Sequence, residues 1–357
     1  MDQSLEYVSY RNLLQAHNIT VYDEPFNISQ ATDILDEFER SFHGPPSYNK
    51  VILLSLYAPV FLVALLGNLL VLATVVRERM SLGKAKNLYL LNLAVADLLV
   101  TLLCMPAAVG TLIYRLWLYG VFLCKFTAFL QGVAVTSSIF TLTAMSVDRY
   151  ISIQHPMALS RVTSARQALA IMAVMWTVAG TFMAPLLYVR QVDTVLLPDL
   201  PPMTFCIENW PRDYDRHAFG CVLVVVIFIL PSATLGICYV HVGRTLCSTE
   251  PVRQLSDLSV TRTNSRKRAA RMLITLVVIF VACWLPYNIT SLCIDLTEDT
   301  GPVDFLPFAL WLGHAHSAIN PLMYWAMNRR FREDARNLMK AARHSLARFC
   351  EPAPRFV

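Results

Sequence analysis

The chain has 357 residues, 55% of them hydrophobic and 15% charged, with a formal net charge of +5. Soluble domains run nearer about 45–50% apolar and about 25% charged, so this composition excludes an ordinary soluble domain. The net charge is too small to imply nucleic acid as a partner, and the distribution of charges carries more information than their sum.

Residues 1–49 form a polar tail in which acids (Asp2, Glu6, Asp23, Glu24, Asp33, Asp36, Glu37, Glu39) outnumber the bases Arg11 and Arg40. That composition predicts a flexible segment in the free state. Asn18-Ile19-Thr20 and Asn27-Ile28-Ser29 are N-glycosylation sequons. The opening Met1-Asp2-Gln3-Ser4-Leu5-Glu6 has neither a basic start nor an apolar run. No cleavable signal peptide is therefore expected, and the first spanning helix serves as its own signal.

Seven apolar runs follow, at 51–76, 88–114, 124–149, 167–189, 217–243, 272–294 and 305–328. Each reaches the ~20 residues that a membrane-spanning helix needs. The expectation is an all-α membrane protein, with a seven-helix bundle over residues 50–328 and termini on opposite sides. The third run organises the rest. Between Lys125 and Asp148 it holds no Asp, Glu, Lys or Arg. As a helix it is about 37 Å long and crosses a hydrocarbon core of about 30 Å. It sets Cys124 at one surface and Asp148-Arg149-Tyr150 at the other, with Gln131, Thr136, Ser137 and Ser138 between. A helix with chemistry at both ends suits a device that passes information across a membrane.

Basic residues orient the bundle. Arg77, Arg79, Lys84 and Lys86 follow the first run, Arg161 and Arg166 precede the fourth, and Arg262, Arg266, Lys267, Arg268 and Arg271 precede the sixth. The positive-inside rule places these loops and the C-terminus in the cytoplasm. The N-terminal sequons then face the glycosylating side, whereas Asn288-Ile289-Thr290 lies inside the sixth run and should stay bare. The nine cysteines show no CxxC or Cys/His metal spacing. Cys124 and Cys206 fall together at the oxidising face and are expected to pair, pinning the fourth-to-fifth loop over the bundle mouth. Residues 329–357 give an amphipathic helix and tail: Ala335, Leu338, Met339, Ala342, Leu346 and Phe349 form an apolar stripe beside basic residues. Cys350 at its end is a candidate lipidation site.

Asp97 stands alone in the second run, where a charge normally has a partner and a job. Asn68, Ser138, Ser317 and Asn320 are placed to meet it. The cluster reads either as a small-cation or proton site or as a hydrogen-bonded structural knot. Pro106, Pro185, Pro231, Pro286 and Pro321 interrupt five runs and supply kinks for a bundle that rearranges. Arg149 pairs naturally with Asp148, a contact whose breakage would free an arginine for a cytoplasmic partner. No phosphate loop, HExxH or GxSxG is present, and no enzymatic activity is expected. His314 and His316, two apart on one helix, face different directions and make poor joint metal ligands.

In this order the motifs resemble those of class A, rhodopsin-like, G-protein-coupled receptors over about residues 48–345. The resemblance rests on Gly67-Asn68, Leu93-Ala94-Val95-Ala96-Asp97, Cys124, Asp148-Arg149-Tyr150, Trp176, Pro231, Tyr239, Cys283-Trp284-Leu285-Pro286 and Asn320-Pro321-Leu322-Met323-Tyr324. It implies that Arg149, Tyr239 and Tyr324 form the cytoplasmic switch, and that Ile139, Pro231 and Phe280 repack below Trp284. It also implies a sodium ion at Asp97, Ser138 and Asn320, although His316 stands where the family often has Asn. Arg266 stands where some relatives carry an acid that locks Arg149, so the lock here involves Asp148 only.

Gln131, Trp117-Leu118-Tyr119-Gly120 and Cys206-Ile207-Glu208-Asn209-Trp210-Pro211 are similar to the orexin, allatotropin, neuropeptide FF and RFamide-peptide receptors. That likeness implies a short amidated neuropeptide containing arginine, contacting Gln131, Glu208, Tyr287, Asn288 and Asp295. A heterotrimeric G protein is the implied partner inside the cell, with arrestin a further one, and the plasma membrane is the implied location. The acids Asp295, Glu298, Asp299 and Asp304, with no Lys or Arg among them, favour a basic peptide. The competing readings are a small-molecule receptor of the same fold, with a narrower pocket around Gln131, and a transporter, for which no inverted repeat is found.

Overall fold

The computed structural model describes residues 48–77, 85–114, 116–154, 164–195, 203–248, 257–297, 305–327 and 329–349. The sequons at Asn18 and Asn27, the lipidation candidate Cys350 and the acids Glu298, Asp299 and Asp304 lie outside these residues. So do the side chains of Arg149 and Asp295.

The chain runs α1 (Tyr48–Arg77), α2 (Ala85–Leu99), α3 (Met105–Tyr114), α4 (Gly120–Gln154), α5 (Ala165–Met183) and α6 (Pro185–Val189). A hairpin follows, β1 (Arg190–Val195) and β2 (Met203–Glu208). Then come α7 (Asp213–Val224), α8 (Leu230–Ser248), α9 (Asp257–Thr297), α10 (Leu306–Met327) and α11 (Arg329–Phe349). Helix is the form a spanning chain must take, because hydrocarbon offers no partner to a bare peptide group.

Six of these segments are long and apolar enough by composition to cross a membrane. The seventh expected span, α10, is helical for 22 residues but falls short on composition, because His314, His316, Ser317 and Asn320 lie in its middle. It packs against α1 and α9 and keeps those groups buried. Its polar residues mark a helix that faces the bundle rather than the lipid.

The prolines act through neighbouring turns. A π-helical turn, Val100–Cys104, joins α2 to α3 just before Pro106, and another, Val225–Ile229, joins α7 to α8 just before Pro231. Met105 N–H reaches the Val100 carbonyl and Leu230 N–H the Val225 carbonyl, so a wider turn absorbs the mismatch ahead of each ring. Pro185 instead ends α5 and starts the short α6. Pro286 and Pro321 sit inside continuous helices. Pro59, within α1, adds a proline beyond the five expected.

Packing inside the bundle is close and partly polar. A Cβ on Gly67 would stand 2.6 Å from Pro321 Cγ, so only glycine lets α1 approach the proline ring of α10. Trp176 Nε1 donates to Asn92 Oδ1 (2.7 Å), and Asn92 Nδ2 donates to Thr141 Oγ1 (2.8 Å), which ties α5, α2 and α4. Large apolar side chains such as Leu66, Val178 and Val240 point outward. Past the last span, Arg332 Nη1 donates to the carbonyls of Trp325 and Ala326, both at 2.7 Å, and caps the end of α10 as α11 begins.

Candidate functional site

The hairpin roofs one end of the bundle. Its strands pair antiparallel with Val192 opposite Cys206, and the expected disulfide joins Cys206 to Cys124 on α4. Trp117 N–H donates to the Thr204 carbonyl and Thr204 Oγ1 returns a bond to the Trp117 carbonyl, each at 2.7 Å. Asn209 N–H closes the base of the hairpin on the Val189 carbonyl (2.8 Å). Below this roof lies a cavity of about 850 Å³. Such a volume belongs to the upper range of small-ligand sites, and this cavity is mostly apolar with a few polar groups.

Gln131, Glu208, Tyr287 and Asn288, which the resemblance assigned to ligand contact, all line the cavity. Glu208 is already engaged at both oxygens. Arg190, its cross-strand partner, makes a 2.6 Å ion pair to Oε1, and Trp210 Nε1 donates to Oε2 at 3.0 Å. It therefore stiffens the rim, whatever it offers a ligand. Asn288 Nδ2 donates back to the Trp284 carbonyl (2.8 Å), so its side chain stays against its own helix.

At the floor a relay crosses three helices. His314 is fully buried; its Nε2 lies 3.3 Å from Gln131 Oε1, and its Nδ1 lies 3.1 Å from Tyr57 Oη. An amide oxygen only accepts, so Nε2 carries the proton, and Nδ1 accepts from the tyrosine hydroxyl. The relay fixes which end of the Gln131 amide turns to His314 and leaves its NH2 group for other partners. Trp284 meets the same imidazole edge-on at 6.3 Å. A Cβ on Gly313 would come within 2.8 Å of the Trp284 ring, so glycine is needed where α10 passes the indole. Tyr57→Phe leaves a buried ring nitrogen without its donor. It should cost about 1–3 kcal/mol of stability, read as a lower thermal unfolding midpoint of the ligand-free protein. An unchanged midpoint would mean that the Tyr57–His314 bond does not form.

Deeper still, Asn320 Nδ2 donates to Asp97 Oδ2 (2.8 Å), and His316 Nδ1 stands 4.0 Å from Asp97 Oδ1. Asn68 Nδ2 donates to the Ser317 carbonyl (2.9 Å), while Ser138 Oγ turns back to the Ala134 carbonyl of its own helix. So Asn320 reaches Asp97 directly, and Asn68 braces the same stretch of α10 from α1. His314 and His316 do face apart: the second meets Phe280 edge-on at 5.2 Å. Phe280 and Ile139 share one buried cluster with Trp284 and Tyr324, and Phe228 packs on Phe280 at 6.0 Å. Pro231 is buried one residue beyond the start of α8. At the end remote from the hairpin, Ser146 Oγ and Tyr239 Oη are 3.1 Å apart, Tyr150 meets His241 edge-on at 6.0 Å, and Tyr324 rests on Phe331 at 6.5 Å.

A model of the 7 transmembrane receptor (rhodopsin family) matches residues 67–324. The chain belongs to this family. Among its relatives, a QRFP-like peptide receptor from Branchiostoma floridae is 30% identical over 298 residues, covering 82% of this chain and 78% of the relative. Galanin receptor 2a from Danio rerio is 31% identical, with 82% and 79% covered. Neuropeptide FF receptor 1 from Homo sapiens is 32% identical, with 77% and 67% covered. Coupling of this receptor to a heterotrimeric G protein follows from the family, as does its multi-pass membrane fold.

Family membership also raises the question of a sodium ion. The donor chemistry around Asp97 fits one. Beside the carboxylate, Asn68 Oδ1 and Asn320 Oδ1 are buried and accept no hydrogen bond among the described residues, and the Ser138 hydroxyl oxygen is buried as well. Carboxylate, amide and hydroxyl oxygens are the donors a small hard cation prefers. His316 replaces one further oxygen by an imidazole at the edge of that set.

Sequence reasoning missed Tyr57, Asn92 and Ser146, and it dismissed His314 as a metal ligand without finding its other use. A polar residue in the first span, at the level of Gln131, was the available signal for Tyr57.

Proposed function

We propose that this receptor answers a short amidated neuropeptide that contains arginine. The observation that carries the reading is the hairpin-roofed cavity, wide enough for several residues and floored by Gln131 and Trp284. The relatives' names, which speak of neuropeptide FF, galanin and QRFP-like peptides, support it. The hairpin end then faces the outside of the plasma membrane, with the N-terminus, and the Asp148-Arg149-Tyr150 end faces the cytoplasm. The basic loops support that orientation. Peptide binding shifts Trp284 and the Ile139–Pro231–Phe280 packing beneath it, and Arg149, Tyr239 and Tyr324 rearrange to receive the G protein. Arrestin engages the same opened face. Asp97, Ser138 and Asn320 would hold a sodium ion, which would supply a counter-charge to the Asp97 carboxylate in the resting arrangement.

A panel of amidated peptides, read separately through calcium and cyclic AMP, tests the reading; response to none of them, with response to a non-peptide amine or lipid, would overturn it. The arginine contact has its own test. Asp295, near the end of α9, is the carboxylate assigned to it, because a carboxylate receives the arginine fork through two parallel hydrogen bonds. Asp295→Ala should weaken the active peptide by about 2–5 kcal/mol, roughly 30-fold or more. Replacing the peptide's arginine should cause the same loss, and the two changes together should not add. Full additivity would remove Asp295 from the site.

A further inference from the structure

Two buried nitrogens in the middle of the bundle have no hydrogen-bond partner among the described residues: Trp284 Nε1 on α9 and His316 Nε2 on α10. Both side chains are almost wholly enclosed. Buried polar groups left bare are costly, so each nitrogen needs a use. Helix register brings the two together. α9 and α10 pack against each other, with Trp284 over Gly313 and Phe280 edge-on to His316 at 5.2 Å. Phe280 precedes Trp284 by four residues and His316 follows Gly313 by three, so each lies one turn further from the hairpin on the same helix face. The imidazole therefore stands one turn below the indole, on the side of Asp97.

The donor inventory fixes which ring nitrogen of His316 carries the proton. Nδ1 stands 4.0 Å from Asp97 Oδ1. A carboxylate only accepts, so the nitrogen turned towards it is the N–H. A neutral imidazole has one N–H, which leaves Nε2 as a bare acceptor. An indole nitrogen only donates. Trp284 Nε1–H and His316 Nε2 are therefore complementary, and they meet after a small rotation of either ring or through one water. His314, two residues away, has the opposite tautomer, because Gln131 Oε1 claims its Nε2 proton. Trp284 also lines the ligand cavity, so the His316 ring joins the cavity floor to the carboxylate.

The same arrangement bears on a cation at Asp97. Asn320 Nδ2 donates to Oδ2 at 2.8 Å, and the imidazole N–H is aimed at Oδ1. A small hard cation takes oxygens as its ligands and needs Oδ1 for itself. The hydrogen on Nδ1 carries partial positive charge and repels an ion placed there. To admit sodium the ring must turn its Nδ1–H away from Oδ1. That rotation also carries Nε2 away from the indole.

We propose that His316 sets the sodium affinity of the Asp97 site: its Nδ1–H competes with the ion for Oδ1, and its Nε2 receives the Trp284 N–H, so that sodium and the indole bond exclude each other. This role rests on a sodium ion at Asp97 and stands apart from the identity of the peptide. His316 is then a positioning residue that opposes the ion, where an amide at the same place would offer it an oxygen.

The full-length receptor in lipid nanodiscs, free of peptide, provides the test. Its thermal unfolding midpoint is followed against sodium chloride, with N-methylglucamine chloride holding the ionic strength constant. His316→Asn should lower the sodium concentration of half-effect by about tenfold, the worth of one hydrogen bond removed from the competition. Asp97→Asn should abolish the sodium effect in both backgrounds. His316→Gln serves where His316→Asn fails to fold. Equal sodium dependence in wild type and variant would overturn the competition and leave the ion in place. No dependence in either would overturn the competition and the sodium site together. Nitrogen NMR of labelled histidine and tryptophan in sodium-free buffer reads the other half. The His316 signal, assigned by its loss in His316→Asn, should report an Nδ1–H tautomer. The Trp284 indole signal, assigned by Trp284→Phe, should move towards its unbonded position in His316→Asn and on addition of sodium. An Nε2–H tautomer at His316, or an indole signal that ignores both changes, would overturn the coupling.

Discussion

Cells expressing Cys124→Ser are expected to show little receptor at the surface and no specific peptide binding. Cys124 is fully buried in the first turns of α4, and Cys206 sits mid-strand on β2, 82 residues on in the sequence. Closing a loop of that length removes roughly 4 kcal/mol of chain entropy from the unfolded state. Without the bond, the roof retains the Trp117–Thr204 pair and the Asn209–Val189 bond, both of which follow hairpin placement rather than enforce it. The Arg190–Glu208–Trp210 rim then loses its fixed height over Gln131. Flow cytometry on an N-terminally tagged receptor, with radioligand binding to the active peptide, reads both losses. Cys206→Ser should match Cys124→Ser, and the double variant should be no worse than either, because one bond is removed in all three. Wild-type surface level and affinity in the double variant would mean that the hairpin holds its place unaided.

Much of this fold was legible because lipid imposes simple rules. Each apolar run of about 20 residues became helix; most ends moved outward by a turn or so, but α9 begins far ahead of its run, at Asp257, and α10 lies just inside its own. The exception in hydropathy, α10, is informative. Its His314, His316 and Asn320 depress the apolar signal because the helix serves as the polar spine of the interior. Redox compartment was enough to pair Cys124 with Cys206. The prolines signalled breaks, yet the π-helical turns that absorb Pro106 and Pro231 depend on how neighbouring helices cross, which no local pattern records. The β1–β2 hairpin was read only as a loop, since its strands of six residues are too short for an alternation to stand out. Gln131, Tyr287 and Asn288 were placed at the cavity by resemblance. The relay that orients Gln131 was not, because Tyr57, Gln131 and His314 come from three separate spans and meet only in the packed bundle. Glu208 was read as a ligand contact, and its engagement by Arg190 and Trp210 needed the strand register to appear.

Arg149→Ala should leave peptide binding at the surface intact and abolish nucleotide exchange on the G protein. Residues 124 and 149 lie on the same helix, α4, and their separation corresponds to about 37 Å at the usual helical rise. A change at Arg149 therefore cannot touch a ligand under the hairpin. Around it, α4 is tied to α8: Ser146 reaches the Tyr239 hydroxyl, and Tyr150, one turn further along α4, packs on His241. A guanidinium with its planar fork of donors can hold more than one acceptor of an inserted partner at once. Lysine offers a single point of charge, so Arg149→Lys should recover only part of the exchange rate. Ser146→Ala, which removes the bond to Tyr239 without removing the arginine, should shift basal exchange while preserving the maximum. The readout is GTPγS loading by purified receptor and G protein in nanodiscs, beside saturation binding on the same preparation. Full exchange by Arg149→Ala at normal peptide affinity would place the coupling contact elsewhere on the Asp148 face.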